Sequence, residues 1–166
     1  MANIVRRSVL AGLSGALLAQ PASAAQLKVG EAAAPYDLTT FKREKISSTD
    51  LSGQVVLLNY WATWCAPCRN EMVAFDKYLR PRLDQGFRIF AIAADQVPKH
   101  WLEKLTPALA YPLVSRLKGK GYGLIRGAVP TNYVIDRKGV VRHAASGSFS
   151  LGALERIITP LLEEKV

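Results

Sequence analysis

Val55-Val56-Leu57-Leu58-Asn59-Tyr60-Trp61 runs without polar alternation and leads through Ala62-Thr63 into Trp64-Cys65-Ala66-Pro67-Cys68. A continuous run rich in apolar, β-branched and aromatic residues marks a strand buried on both faces of a parallel or mixed sheet. Beyond it, Met72, Phe75, Leu79 and Leu83 recur at helical spacing between charged residues, which predicts a helix from about Pro67 to Leu83, ended by Gln85-Gly86. The cysteines therefore stand where a buried strand hands over to a helix start. Unpaired N–H groups and the helix dipole favour an anion there, so Cys65 is the predicted nucleophile, held as thiolate. Pro67 suits the first turn, where its missing N–H costs nothing. Cys68, one turn further in, is placed to attack a mixed disulfide formed at Cys65.

Outward from this centre the same pattern repeats. Phe87 to Ala94 reads as a second buried strand and Pro98 to Leu109 as a second helix with Pro near its first turn. Before the centre, residues 25–51 are turn-rich, with extended candidates at Tyr36 to Thr40 and Glu44 to Ser47 that predict an N-terminal hairpin or edge extension. After it, Asn132 to Asp136 and Val140 to Ala144 flank Arg137-Lys138-Gly139, an antiparallel hairpin with Gly where a positive φ is needed. A last helix from about Ser150 to Glu163 carries Leu151, Leu154, Ile157, Ile158, Leu161 and Leu162 on one face. Strand-helix-strand followed by strand-strand-helix is an α/β, thioredoxin-like arrangement: a central mixed sheet flanked by helices, with an N-terminal β extension.

The chain has 166 residues, enough for one packed core, and its hydrophobic and charged fractions of 49% and 21% exclude collagen-like, disordered and coiled-coil classes. Its net charge of +9 favours anionic partners, but the basic residues are scattered without interleaved aromatic rings, so a nucleic-acid function rests on charge alone. Arg6-Arg7, an apolar stretch from Ser8 to Ala19 and Ala22-Ser23-Ala24 form the three parts of a signal peptide over residues 1–24, with cleavage expected after Ala24. The arginine pair also fits a twin-arginine signal, so twin-arginine and general secretory export both stand. A single domain over residues 25–166 and a periplasmic location are the expectations. In an oxidising compartment Cys65 and Cys68 can persist as a disulfide, yet a loop so small constrains the unfolded chain little, which points to redox work.

Val55 to Glu71, together with Val129-Pro130-Thr131 and Val134-Ile135-Asp136 before a Gly-containing turn, resembles the TlpA/ResA branch of the thioredoxin superfamily of exported thiol-disulfide oxidoreductases. The resemblance spans most of residues 28–164. It implies a thioredoxin fold, commonly a reducing role in the cell envelope, and partners in cytochrome c maturation or copper-oxidase assembly. By position it implies that Pro130 lies against the disulfide as the branch's cis-proline, and that Val129 pairs through its backbone with a bound substrate chain beside Trp64. It also implies that Glu71, three residues past Cys68, tunes thiol protonation. Partial burial of Glu71 beside Met72 and Phe75 would raise its pKa and let it exchange protons with Cys68. A surface Glu paired with a nearby Arg or Lys is the bland alternative. Where a cytosolic thioredoxin has a buried Asp, this chain has Asn59, which cannot act as a base.

The leading expectation is an enzyme that reduces disulfides in partner proteins and is recharged by a membrane electron donor. It needs no cofactor beyond the Cys65/Cys68 pair. A disulfide donor and a Cu(I)-binding module using both thiols are the alternatives, since Ala66-Pro67 leaves the direction open. A peroxidase is weaker, because a peroxidatic Cys does not require a second Cys two residues on. No structural metal is expected, because His100 and His143 are far apart in sequence and Met72 lies on the buried stripe.

Overall fold

The computed structural model describes residues 26–164; the predicted signal peptide at 1–24 lies outside the described residues. The N-terminal extension forms β1 (Tyr36–Thr40) and β2 (Lys45–Ser47), followed by β3 (Val55–Trp61), α1 (Ala66–Leu79), β4 (Phe87–Ala93) and α2 (Lys99–Ala108). The chain then makes β5 (Leu113–Gly119), β6 (Thr131–Ile135), β7 (Val141–Ser146) and α3 (Leu151–Glu163). One sheet holds all seven strands in the order β2-β1-β5-β4-β3-β6-β7. β3 pairs in parallel with β4 and antiparallel with β6, so both of its edges are filled and every residue in it is buried.

Alternation along β3 divides the core into two layers. Val55, Leu57 and Trp61 face Met72, Phe75 and Leu79 of α1 and Leu154, Ile158 and Leu161 of α3. Val56, Leu58 and Tyr60 face the opposite layer, where Leu27, Tyr36, Leu38 and Leu51 from the N-terminal extension do the covering that a helix would otherwise provide. Asn59 belongs by this period to the α1 side, a polar residue set into an apolar row.

Two expectations need correction, and one strand has no counterpart in the sequence reading. The helix predicted from Pro67 to Leu83 is α-helical only through Leu79 and then tightens into a 3-10 segment, Arg80–Gln85, ended by Gly86 at φ 69°. Pro81 lacks the N–H that would close on the carbonyl of Lys77, so the helical ladder cannot continue there. Leu83, assigned to the buried stripe, is consequently turned outward and 46% exposed. On α3, Leu151 is also exposed, because the first turn projects over a surface cleft shared with Pro67 and Asn70. Finally, β5 escapes the hydrophobic pattern. Only Leu113 and Val114 pair with β4, and the rest of the strand, with Ser115, Arg116 and Lys118 exposed, pairs antiparallel with β1.

The β6–β7 hairpin turns at Gly139 with φ 75°, as expected. Its turn residue Arg137 reaches back under the molecule and donates to the carbonyls of Gly53 (3.3 Å), Gln85 (3.0 Å) and Leu162 (3.1 Å). One guanidinium thus ties the entry to β3, the end of the 3-10 segment and the last turn of α3. Such charge-assisted bonds contribute more than neutral ones. Arg137→Met is expected to lower unfolding free energy by roughly 1–3 kcal/mol in urea titration, whereas Lys138→Met, at an exposed neighbour, should change it by less than about 0.5 kcal/mol.

Candidate active site

β3 ends where the active-site loop begins, and the loop is held from both sides. The Ala94 N–H donates to the Trp61 carbonyl at 2.8 Å, closing the C-terminal end of β3 onto the segment after β4. Asp95 accepts from the Thr63 N–H at 3.0 Å and from its hydroxyl at 2.6 Å. Arg69 of α1 donates to the Thr63 carbonyl at 3.0 Å and lies 6.0 Å from the ring centroid of Trp101 on α2. These contacts fix the turn that delivers Cys65 to the start of α1.

Cys65 is the N-cap of α1, with φ −84° and ψ 99°, and its Sγ accepts from the Cys68 N–H at 3.2 Å. Pro67 occupies the first turn without wasting a donor. The two cysteines are joined as a disulfide with a Cα–Cα distance of 5.3 Å. Cys68 is fully buried and Cys65 is 3% exposed, while Trp64 beside them is 73% exposed. Of the two sulfurs, the one at the helix start is the one a partner can approach.

Glu71 lies one turn beyond Cys68 on α1 and is buried, at 1% exposure. Its Oε1 accepts from the Asn132 side chain at 2.7 Å and from the Phe149 N–H at 2.7 Å, and its Oε2 accepts from the Asn59 side chain at 2.8 Å. No Lys or Arg pairs with it among the described residues, so Glu71 is not half of a surface ion pair. Burial is the largest influence and pushes the carboxyl up to about 7, against the three donors, which pull it down. Because β3 alternates, Asn59 points toward α1, and because Asn59 and Asn132 are register partners on β3 and β6, their two amides converge on one carboxylate. Glu71 also lines the cleft between the first turns of α1 and α3 that Asn70, Ser148 and Ser150 border.

The Val129–Pro130 peptide bond is cis, and it directly precedes β6. Thr131 pairs with Tyr60, which places this loop beside the C-terminal end of β3. Val129 packs against the cluster that contains Cys65 and Cys68. The Gly147 N–H holds the Pro130 carbonyl at 2.9 Å, and the Thr131 hydroxyl holds that of Ala128 at 2.7 Å. The sequence residues Trp64, Cys65, Cys68, Glu71, Val129 and Pro130 therefore gather at one end of the sheet.

Sequence reading did not assign Asn132, the Phe149 N–H, Asp95 or Trp101 to the site. A signal for Asn132 existed: an Asn inside an otherwise apolar strand, in a chain whose central strand also carries one. The other three are tertiary contacts without a local signature. His100 sits on α2, and His143 on β7 packs edge-on against Phe149 with ring centroids 4.8 Å apart. Among the described residues no three His, Cys, Asp or Glu side chains group as a metal site.

The raised carboxyl makes folding stability depend on pH with a definite sign. Below about 4.5, its ordinary value, Glu71 is protonated in folded and unfolded chains alike and its full contribution is present; that contribution is lost as pH rises through about 7. His143 acts oppositely: burial lowers its pKa, so its contribution is lost as pH falls. Comparing wild type with Glu71→Gln isolates the first. The wild type should lose on the order of 3 kcal/mol relative to the variant between pH 5 and 8, measured by denaturant titration at each pH.

The chain is similar to known proteins of thiol-disulfide chemistry. The model of the AhpC/TSA family matches residues 29–144. The thioredoxin-like protein YneN of Bacillus subtilis is 31% identical over 89% of this chain and 90% of its own length. The thiol-disulfide oxidoreductase ResA of Bacillus anthracis is 31% identical over 92% of both chains. Among solved structures, a thiol:disulfide interchange protein of the thioredoxin family from Chlorobium tepidum superposes with a TM-score of 0.64 at 26% identity, covering 83% of this chain and 99% of that one. With the fold, the Cys65–Cys68 disulfide and this likeness together, the chain belongs to the AhpC/TSA family as a TlpA/ResA-like thiol-disulfide oxidoreductase of the thioredoxin superfamily.

Proposed function

We propose that this oxidoreductase works as a reductant in the cell envelope, exported by its leader and processed after Ala24 to a domain over residues 25–166. The observation that carries the mechanism is the buried carboxyl of Glu71, one helical turn from the buried Cys68. The Cys65 thiolate, held by the N–H groups at the start of α1, attacks one sulfur of a partner disulfide. The partner's S–S bond breaks, a mixed disulfide forms at Cys65, and the departing thiolate takes a proton from water. Cys68 is still a thiol, enclosed where bulk water cannot accept its proton. Glu71 as carboxylate takes that proton, and the Cys68 thiolate attacks Cys65. The Cys65–Cys68 bond forms, the second partner thiolate leaves, and two electrons have passed to the partner.

Trp64 and the Val129-Pro130 loop are the surfaces against which the partner chain would lie. The redox-active pair is the only redox group the cycle needs, and a membrane electron donor that returns two electrons to Cys65–Cys68 would close it. Oxidised cysteines of apocytochrome c or of a copper site under assembly are the class of substrate this reading favours.

Two measurements test the proposal. Cys65→Ser should abolish reduction of insulin disulfides, and Cys68→Ser should accumulate a protein–insulin mixed disulfide visible by mass; multiple turnover by the Cys65 variant contradicts the roles assigned. Equilibration in glutathione buffers, read by thiol alkylation, should place the potential below about −200 mV. A potential near −120 mV would make the chain a disulfide donor instead.

A further inference from the structure

We infer that Asn59 and Asn132 are positioning residues that act through Glu71: their paired amides stand in for a cation and set the proton affinity of the buried carboxyl. The inference rests on the reading of Glu71 as the proton acceptor of Cys68. Taking a carboxylate out of water costs several kcal/mol unless charge or hydrogen bonds replace its solvation. Here all replacement comes from neutral donors: two amides and the Phe149 N–H.

The orientation of both amides is over-determined. Asn132 Nδ2 donates to Glu71 Oε1 at 2.7 Å and to the Gly147 carbonyl at 3.0 Å, so its Oδ1 must face the other way. That Oδ1 receives Asn59 Nδ2 at 2.9 Å, and the same Nδ2 group donates to Glu71 Oε2 at 2.8 Å. Turning either amide would set oxygen against oxygen. Asn59 Oδ1 is left buried without a partner, a cost accepted so that both of its donors serve the cluster. The network as built solvates an ionised Glu71. Among the described residues no acceptor is aimed at a proton on that group, so protonation is held in check by the amides and promoted by burial.

Asn132 has a second connection. Gly147, whose carbonyl it holds, donates its N–H to the Pro130 carbonyl at 2.9 Å. The amide therefore links the loop against which a partner chain would lie to the carboxyl that takes the Cys68 proton. The other titratable groups packed around this carboxyl are few. Tyr111 donates its phenol to the Met72 carbonyl and is held protonated by burial, and His143 stands on the far side of Phe149. Cys68 contributes no titration while the disulfide is closed.

The test reads the Glu71 carboxyl directly, by its side-chain carbon-13 shift against pH in the oxidised full chain, with Glu71→Gln to assign the signal. Without substrate or electron donor present, its outcome is separable from that of the insulin and potential measurements. Asn59→Ala and Asn132→Ala should each move the midpoint up by about one pH unit or more, a tenfold gain in proton affinity, since a hydrogen bond to a charged group is lost. Asn59→Ser, which keeps a shorter donor, should lie between wild type and Asn59→Ala. Thermal unfolding identifies variants that remain folded, and if the alanine variants are too unstable the serine variant carries the test alone. A midpoint that stays within about 0.3 units of wild type in the folded variants overturns the inference.

Discussion

Enclosing a carboxyl at 1% exposure, with no Lys or Arg paired to it among the described residues, leaves hydrogen bonds to offset its lost hydration, and that constraint shapes the centre of this molecule. Three donors must converge on Glu71 from three different segments: β3, β6 and the turn before α3. They can do so only if β3 and β6 are in register at Asn59 and Asn132, if α1 starts where the cysteine loop sets it down, and if the chain after β7 returns over α1 at Phe149. Burial raises the proton affinity of the group while the three donors pull it back, and the balance leaves the carboxyl at about 7. In the proposed cycle such a carboxyl suits a thiol that loses and regains a proton at physiological pH.

The scaffold makes this possible because β3 is filled on both edges and both faces. Its odd-numbered residues meet α1 and α3, and its even-numbered residues meet the layer supplied by the N-terminal extension. Without that extension the second face of the sheet would be open, so the segment at 27–51 is part of the core rather than an appendage. The sheet's parallel strands β3 and β4 end together, and the loops at that end carry Cys65, Asp95 and the segment leading to α2. This is where an open α/β sheet leaves a reactive edge.

Much of this was legible in the sequence because the relevant signals are local. The uninterrupted apolar run of β3, the Cys-Ala-Pro-Cys turn with Pro67 at a helix start, Gly139 in the hairpin and Ser150 ahead of α3 each have short-range causes. What stayed hidden is tertiary. β5 pairs with β4 through only Leu113 and Val114, and beyond them only Leu117 among Ser115, Arg116, Lys118 and Gly119 is apolar, so no period marks it. Pro81 ends the α-helical ladder two residues beyond Leu79 while the apolar spacing continues to Leu83. Asn132 becomes a partner of Glu71 only once β6 is laid beside β3, and the Phe149 N–H only once α3 is docked. The resemblance to the TlpA/ResA branch singled out Glu71; its enclosure and its amide partners come from the packing.

The proposed step on which the cycle turns is transfer of the Cys68 proton to Glu71 when the mixed disulfide resolves. It is tested most directly by forming that mixed disulfide on reduced protein and following its decay by rapid acid quench across pH 5 to 9. The account predicts a resolution rate that rises through a step centred near the Glu71 midpoint of about 7 in the wild type, and that is slowed and loses this step in Glu71→Gln. Resolution in Glu71→Gln with the rate and pH profile of the wild type would contradict it.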